Sequence, residues 1–194
     1  MYGPECSGKT TLARALTEIY SGVIVEEFLR TYAQKIWDTE KRTVAPQDIE
    51  ALIQGQCRAE KKGLIQAKST CTPSSDQIDA HKVQFCPTFM DTNIDQLAVY
   101  FSYYFGPDWG QIPPHLKAAD DAIVYLLTKP DIPWQSDDLR DQPLQRDSLF
   151  SIFEHDLIQK KARYLVVHGS HNQRINQACT FINKTWPELY VQRS

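Results

Sequence analysis

Gly3-Pro4-Glu5-Cys6-Ser7-Gly8-Lys9-Thr10 is the stretch on which the fold turns. It fills the spacing G-x-x-x-x-G-K-[ST]. Its two glycines let the backbone turn tightly, so that successive amide N–H groups face one point. A helix that starts there adds its N-terminal dipole, and Lys9 adds a point charge. The Thr10 hydroxyl supplies an oxygen ligand for the Mg²⁺ that bridges β- and γ-phosphates. This is a phosphate-binding P-loop, so Gly3 to Thr10, with Thr11 behind them, are the expected ATP cradle.

Outward from the loop, residues 8–20 read as a helix, because Leu12, Ala15, Leu16 and Ile19 recur at spacings of three and four. Gly22 stops it, and Val23-Ile24-Val25 is a short buried-strand pattern. Helices follow over 27–37 and from Pro46 to about residue 67. Residues 69–82 hold Thr72-Pro73-Ser74-Ser75-Asp76 and read as an inserted loop. Strands are predicted over 83–90, 122–127 and 164–167, and helices over 94–105, 147–161 and 173–184. The alternation implies an α/β fold, a parallel sheet covered by helices on both faces. The expected organisation is one P-loop kinase domain over residues 1–194, with a lid over 131–147.

The strand that should lead into the P-loop is missing from this pattern, since only Met1 and Tyr2 precede Gly3. Such a strand runs about 5–6 residues and is buried on both faces. The expectation is a natural start upstream of Met1, with a short apolar strand ending near Tyr2.

The composition of the 194-residue chain is ordinary for a soluble domain, with 42% apolar and 23% charged residues. A net charge of −3 disfavours nucleic acid as a partner. No apolar run approaches the roughly 20 residues of a membrane span, and no signal-peptide pattern opens the chain. The expected partner is a small molecule and the expected location cytoplasmic. Five cysteines form no C-x-x-C pair and read as reduced thiols. His168 and His171 flank Gly-Ser after a strand, with no ligand cluster to make a metal site.

Phosphoryl transfer also needs a second Mg²⁺ anchor, a group for the acceptor hydroxyl and positive charge on the moving phosphoryl. Asp91 follows the strand over 83–90, where it either holds metal or caps the next helix. Glu26 and Glu27 follow Val23-Ile24-Val25, at the strand end where such sheets bind ligands, and either could take the hydroxyl proton. Arg140 and Arg146 lie in a Pro- and Asp-rich loop. They fit a lid closing over ATP, or surface pairing with Asp137, Asp138, Asp141 or Asp147.

With these residues in view, the chain resembles the NadR-type ribosylnicotinamide kinases. Gly3-Pro4-Glu5-Cys6-Ser7-Gly8-Lys9-Thr10-Thr11-Leu12 is similar to that family's G-P-E-S-S-G-K-[ST]-T-L. Glu27-Phe28-Leu29-Arg30-Thr31-Tyr32 resembles E-Y-A-R-x-Y, and Asp91-Thr92-Asn93 resembles D-T-D or D-T-N. Asp131-Ile132-Pro133-Trp134, Asp138-Leu139-Arg140 and Arg146 resemble D-I-P-W, D-x-L-R and R; Gly169 and Arg174 resemble the closing G-x-x-x-x-R. The resemblance implies a nucleoside-kinase type of fold. It implies a kinase that uses ATP and Mg²⁺ to phosphorylate the 5′-hydroxyl of nicotinamide riboside. Lys9 and Thr10 would serve phosphates and metal, Asp91 the metal and substrate, and Glu27 the acceptor. Arg30 and Tyr32 would line the substrate side, Arg140 and Arg146 would form the lid, and Arg174 would join the nucleotide site. Trp134, or a neighbouring aromatic, would stack on the pyridinium or pack in the core. Other readings are a kinase for another nucleoside-like acceptor, and a P-loop ATPase or nucleotide-binding regulator that transfers nothing.

Overall fold

Strand and helix alternate along the chain, as its pattern implies. The computed structural model describes residues 1–70, 86–113, 123–133 and 145–189. Its elements run α1 (Lys9–Ile19), β1 (Val23–Val25), α2 (Phe28–Glu40), α3 (Ile49–Thr70), β2 (Thr88–Met90) and α4 (Ile94–Phe105). Then follow β3 (Tyr125–Thr128), α5 (Arg146–Gln159), β4 (Tyr164–Val167) and α6 (His171–Thr185).

All strand pairing among the described residues is parallel. β1 pairs with β2, Val23 opposite Thr88 and Val25 opposite Met90. β3 pairs with β4, Tyr125 opposite Tyr164 and Thr128 opposite Val167. Met1 and Tyr2 lie between the two pairs. The Tyr2 N–H donates to Leu126 O at 2.9 Å, and the Thr128 N–H donates to Tyr2 O at 2.8 Å. On the other side the Met1 amino group donates to Met90 O. The ladder thus reads β1, β2, Met1–Tyr2, β3, β4. The place of the strand that the pattern lacks is held by these two residues, with a single parallel bridge from Tyr2 to Leu127.

Helices cover both faces because side chains alternate along β3. Tyr125 and Leu127 join Tyr2 and pack against Val99 and Tyr100 of α4 and Leu149, Phe153 and Leu157 of α5. Leu126 points the other way, into a cluster of Leu12 and Leu16 of α1 with Ala178 and Ile182 of α6. A third cluster joins α3 to α4 through Ile49, Leu52, Leu97 and Phe101, with Phe28 and Tyr32 of α2 against it. Among the described residues no helix is long and apolar enough to cross a membrane.

Several boundaries differ from those expected. The strand predicted over 83–90 is found at Thr88–Met90, and residues 83–85 lie outside the described residues. Pro87 has no N–H to give, yet its carbonyl accepts from Val23 at 2.9 Å. The strand predicted over 122–127 is Tyr125–Thr128, because the fully buried Thr128 stays in the ladder and donates its hydroxyl to Tyr2 O at 3.1 Å. Helix α3 extends to Thr70; residues 71–82 of the expected insertion lie outside the described residues. Helix α6 starts at His171, before the expected 173, because Ser170 and Gln173 form a capping box.

Candidate active site

Gly3 and Gly8 bend the P-loop. Gly3 has φ +128, and a Cβ there would lie 2.9 Å from the Thr128 carbonyl oxygen. Gly8, at φ 85, is the residue before α1, and no side chain caps that helix. The first α1 amides therefore stay available to an anion. Ser7 is tied down by its hydroxyl, 2.7 Å from Pro4 O and 2.5 Å from Thr128 Oγ1. Lys9 Nζ donates to the carbonyls of Gly3 and Pro4 at 3.0 and 2.7 Å. Burial pushes the Lys9 ammonium below its usual pKa, while the nearby Glu27, Asp91 and Glu5 carboxylates pull it back.

The loop meets the end of β2 through Thr10, whose hydroxyl donates to Asp91 Oδ2 at 2.6 Å. Asp91 is 4% exposed, and its other oxygen, Oδ1, is buried without a hydrogen-bond partner. Asp91 does not cap α4; Asn93 does, its side chain accepting from the Gln96 N–H. A buried carboxylate oxygen with no donor, beside a threonine hydroxyl, is the donor set a hard cation takes. Among the described residues no group of three His, Cys, Asp or Glu side chains could hold a metal. Mg²⁺ at Thr10 and Asp91 would complete its shell with phosphate oxygens and water, as it commonly does.

These residues open onto a cavity of about 990 Å³. The P-loop lines it from Glu5 to Thr11. Aromatic side chains line it as well, Trp37 from α2 and Tyr100, Phe101, Tyr104 and Phe105 from α4; Tyr104 stacks on Tyr100, whose hydroxyl lies 3.5 Å from Gly3 O. Glu27 also lines the cavity, next to Lys9 and Asp91. Burial raises its carboxyl pKa; Asp91 raises it further, while Lys9, the Thr92 hydroxyl and Arg30 oppose the shift. Glu26 also lines the cavity, but it is exposed and its carboxylate goes to Arg14 at 3.5 Å. That separates the two adjacent glutamates, leaving Glu27 the more enclosed.

Arg30, Ala33 and Trp37 share one side of α2 and line the cavity, with Leu29 and Thr31 lining it too. Tyr32 lies off the cavity; it shares a face with Phe28 and the buried Ile36, four residues apart in each direction. The Tyr32 hydroxyl donates to Asp48 at 3.3 Å.

Arg146 and Arg174 both hold the P-loop backbone. By pattern Arg146 belongs to an exposed loop, but it is the first residue of α5 and only half exposed. Its guanidinium donates to Cys6 O at 2.8 Å and Ile132 O at 3.0 Å. Arg174 is 3% exposed and donates to Ser7 O at 2.6 Å, Gly169 O at 2.9 Å and Lys129 O at 2.8 Å, besides pairing with Asp131. Its contacts run to protein carbonyls and it lies behind the loop. Trp134, Arg140 and most of the expected lid, residues 134–144, lie outside the described residues.

The pattern of the sequence missed Trp37 and Tyr100, which both line the cavity, and a buried polar set behind Glu27: Gln56, Glu60, Thr92 and Gln96. A glutamine on a helix carries no mark of burial. The available signal was position, since Gln56 falls four residues after Leu52 on the face that α3 buries.

The parallel sheet, the loop that enters α1 and the Thr10–Asp91 contact define a P-loop nucleotide-binding fold of the kinase-like type. The chain belongs to the AAA domain family, whose pattern matches residues 1–174. The solved structure of a NadR protein in complex with NR is similar in fold, with a TM-score of 0.70 at 17% identity. The match covers 100% of this chain and 52% of that one. A second, a NadR protein in complex with NAD and AMP-PNP, has a TM-score of 0.66 at 16% identity and covers 100% and 50%. The chain therefore spans about half the length of these structures. No curated protein matches it.

Proposed function

We propose that this chain is an ATP-dependent kinase that phosphorylates the 5′-hydroxyl of nicotinamide riboside to give nicotinamide mononucleotide. The observation that carries the reading is the convergence of Lys9, Thr10, Asp91 and Glu27 on one cavity that aromatic side chains of α2 and α4 also line. The triphosphate lies along the P-loop, with the α1 amides and Lys9 facing its oxygens. On binding, Lys9 exchanges the Gly3 and Pro4 carbonyls for phosphate. Thr10 and Asp91 would hold Mg²⁺, which would supply positive charge against the phosphates. Glu27 accepts the hydroxyl proton as the acceptor attacks. Arg146 keeps Cys6 in place and so shapes the loop. The pyridinium of nicotinamide riboside is a cation, and aromatic faces with nearby carboxylates suit it. The fold neighbours are NadR proteins in complex with NR and with AMP-PNP, which supports both halves of the reading.

The test is incubation with ATP, Mg²⁺ and a panel of nucleosides, with product identified by mass. Nicotinamide riboside should be converted faster than uridine, cytidine, adenosine or guanosine. Conversion of another nucleoside in its place would keep the kinase and replace the acceptor. A second reading, an ATPase module without acceptor, takes its support from the AAA domain family. ADP release unchanged by any nucleoside would favour it.

A further inference from the structure

Behind Glu27 runs a chain of buried hydrogen bonds whose direction is fixed by its first member. The Gly3 N–H can only donate, and it faces Gln96 Oε1 at 3.1 Å. The amide of Gln96 must then present its NH₂ end to Thr92 Oγ1, 3.4 Å away. A hydroxyl that accepts there has its own proton left to give, and Glu27 Oε1 lies 3.2 Å from it. The backbone of the same threonine is tied in as well. Gln56 Oε1 takes the Phe28 N–H at 3.3 Å, which turns its NH₂ end to Thr92 O at 2.9 Å and Glu60 Oε1 at 3.0 Å. Thr92, Gln56 and Gln96 are each 0% exposed.

We propose that Thr92 is a positioning residue for Glu27, its hydroxyl oriented by Gln96 and Gly3 so that it holds the Glu27 carboxylate at the cavity wall. Valine would fill the same volume, so packing alone does not call for a hydroxyl at this position. A polar group in so buried a place is retained where its hydrogen bonds are satisfied and directed. Thr92 also follows Asp91 directly. One residue thus sets the spacing between the carboxylate beside Thr10 and the carboxylate that faces the acceptor. The groups that would compete for Glu27 are Lys9 from α1 and Arg30 from α2, with Asp91 repelling it. Lys9 is the largest attraction on Glu27, and without the hydroxyl to oppose it the carboxylate is drawn toward Lys9 and the P-loop.

The inference rests on the reading of Glu27 as the acceptor-side group, and the experiment separates the two. Thr92→Val, Thr92→Ala and Thr92→Ser are compared with the unaltered chain. Two quantities are measured: the kcat and KM of ATP-dependent riboside phosphorylation, and the ¹³C resonance of the Glu27 side-chain carboxyl. The resonance is assigned by its loss in Glu27→Gln. The resonance should move in the valine and alanine variants and return in the serine variant. Turnover should follow it, with kcat down about tenfold, the size of one hydrogen bond to a charged group, and the KM for ATP nearly unchanged. If the resonance behaves this way while the unaltered chain turns over no riboside, the kinase reading fails and the positioning stands. An unmoved resonance in folded valine and alanine variants overturns the positioning, as does a serine variant displaced like valine. Loss of folding in all three makes Thr92 a structural residue and overturns it too.

Discussion

The Thr10 hydroxyl donates to Asp91 Oδ2 at 2.6 Å, joining residues 81 positions apart and linking the first turn of α1 to the end of β2. The second oxygen of that carboxylate is buried with no hydrogen-bond partner. Asp91→Asn keeps the shape and a group for Thr10 but removes the charge. ATP affinity in Mg²⁺ should fall at least about tenfold, which is ~1.4 kcal/mol. In excess chelator the two proteins should bind ATP alike. Titration calorimetry with and without Mg²⁺ makes the comparison, and an unchanged Mg²⁺ dependence in Asp91→Asn would contradict the role.

Arg174 and Arg146 hold adjacent carbonyls of the P-loop, Ser7 O and Cys6 O, yet they should fail differently. Arg174 is buried, and its removal takes a donor from three carbonyls and the cation from Asp131, which keeps the Gly169 N–H at 2.8 Å. Arg174→Ala should cost about 3 kcal/mol, the low end of the range for breaking a buried ion pair because Asp131 is partly exposed, and lower Tm by roughly 6 °C or more. Arg146→Ala should lower Tm far less and weaken ATP binding more. Thermal melts and ATP titration on both variants check the contrast, and equal losses of stability would refute it.

Tyr2 stands at the centre of the ladder. Its ring meets Tyr125 and Phe153 edge-on at 5.2 and 5.0 Å, and its hydroxyl donates to Asp156 at 2.5 Å. Tyr2→Phe should cost about 1–2 kcal/mol, because Asp156 retains Lys160 at 2.9 Å. Tyr2→Ala should cost about 3–5 kcal/mol through the lost ring. Denaturant unfolding reads both, and near-equal losses would mean that the ring contributes little.

Much of this fold is legible in the sequence. Gly3, Gly8 and Lys9 stand at fixed spacing, and Leu12 and Leu16 recur at the helical period, so loop and helix can be read locally. The strands are harder, because they are three or four residues long and one ends in Thr128, whose burial depends on Tyr2. The site divides in the same way. Lys9, Thr10, Glu27 and Asp91 carry charge or metal-binding oxygens at strand and helix ends, and the structure brings them together. The motif points to Tyr32 as a substrate residue, whereas the period of α2 sends it to Asp48. Gln56, Thr92 and Gln96 acquire their meaning only from tertiary partners, which spacing does not reveal.

Asp48 predicts a pH dependence. Arg42 hydrogen-bonds both its oxygens, at 2.6 and 3.0 Å, and holds the carboxyl below the ordinary aspartate value of 3.8 against the opposing effect of burial. The folded pKa is lower than the unfolded one. The stabilisation is therefore fully present above about pH 4 and is lost as pH falls through the folded value. Asp48→Asn should be less stable at pH 7 by about 1–2 kcal/mol, discounted because Arg42 is partly exposed. The gap between the two proteins should narrow below pH 4. Unfolding free energies from pH 7 to pH 3 test this, and a gap that widens on acidification would reverse the sign of the effect.

Transfer of the γ-phosphoryl of ATP to nicotinamide riboside, compared between the unaltered chain and Glu27→Gln, tests most directly whether one cavity serves both substrates. The unaltered chain should form nicotinamide mononucleotide in the presence of Mg²⁺. Glu27→Gln should lose about 10²-fold or more in kcat, the range for a positioned base, while its ATP affinity stays nearly unchanged. Release of ADP and phosphate at one rate with and without riboside, and no nucleotide product, would contradict the assignment.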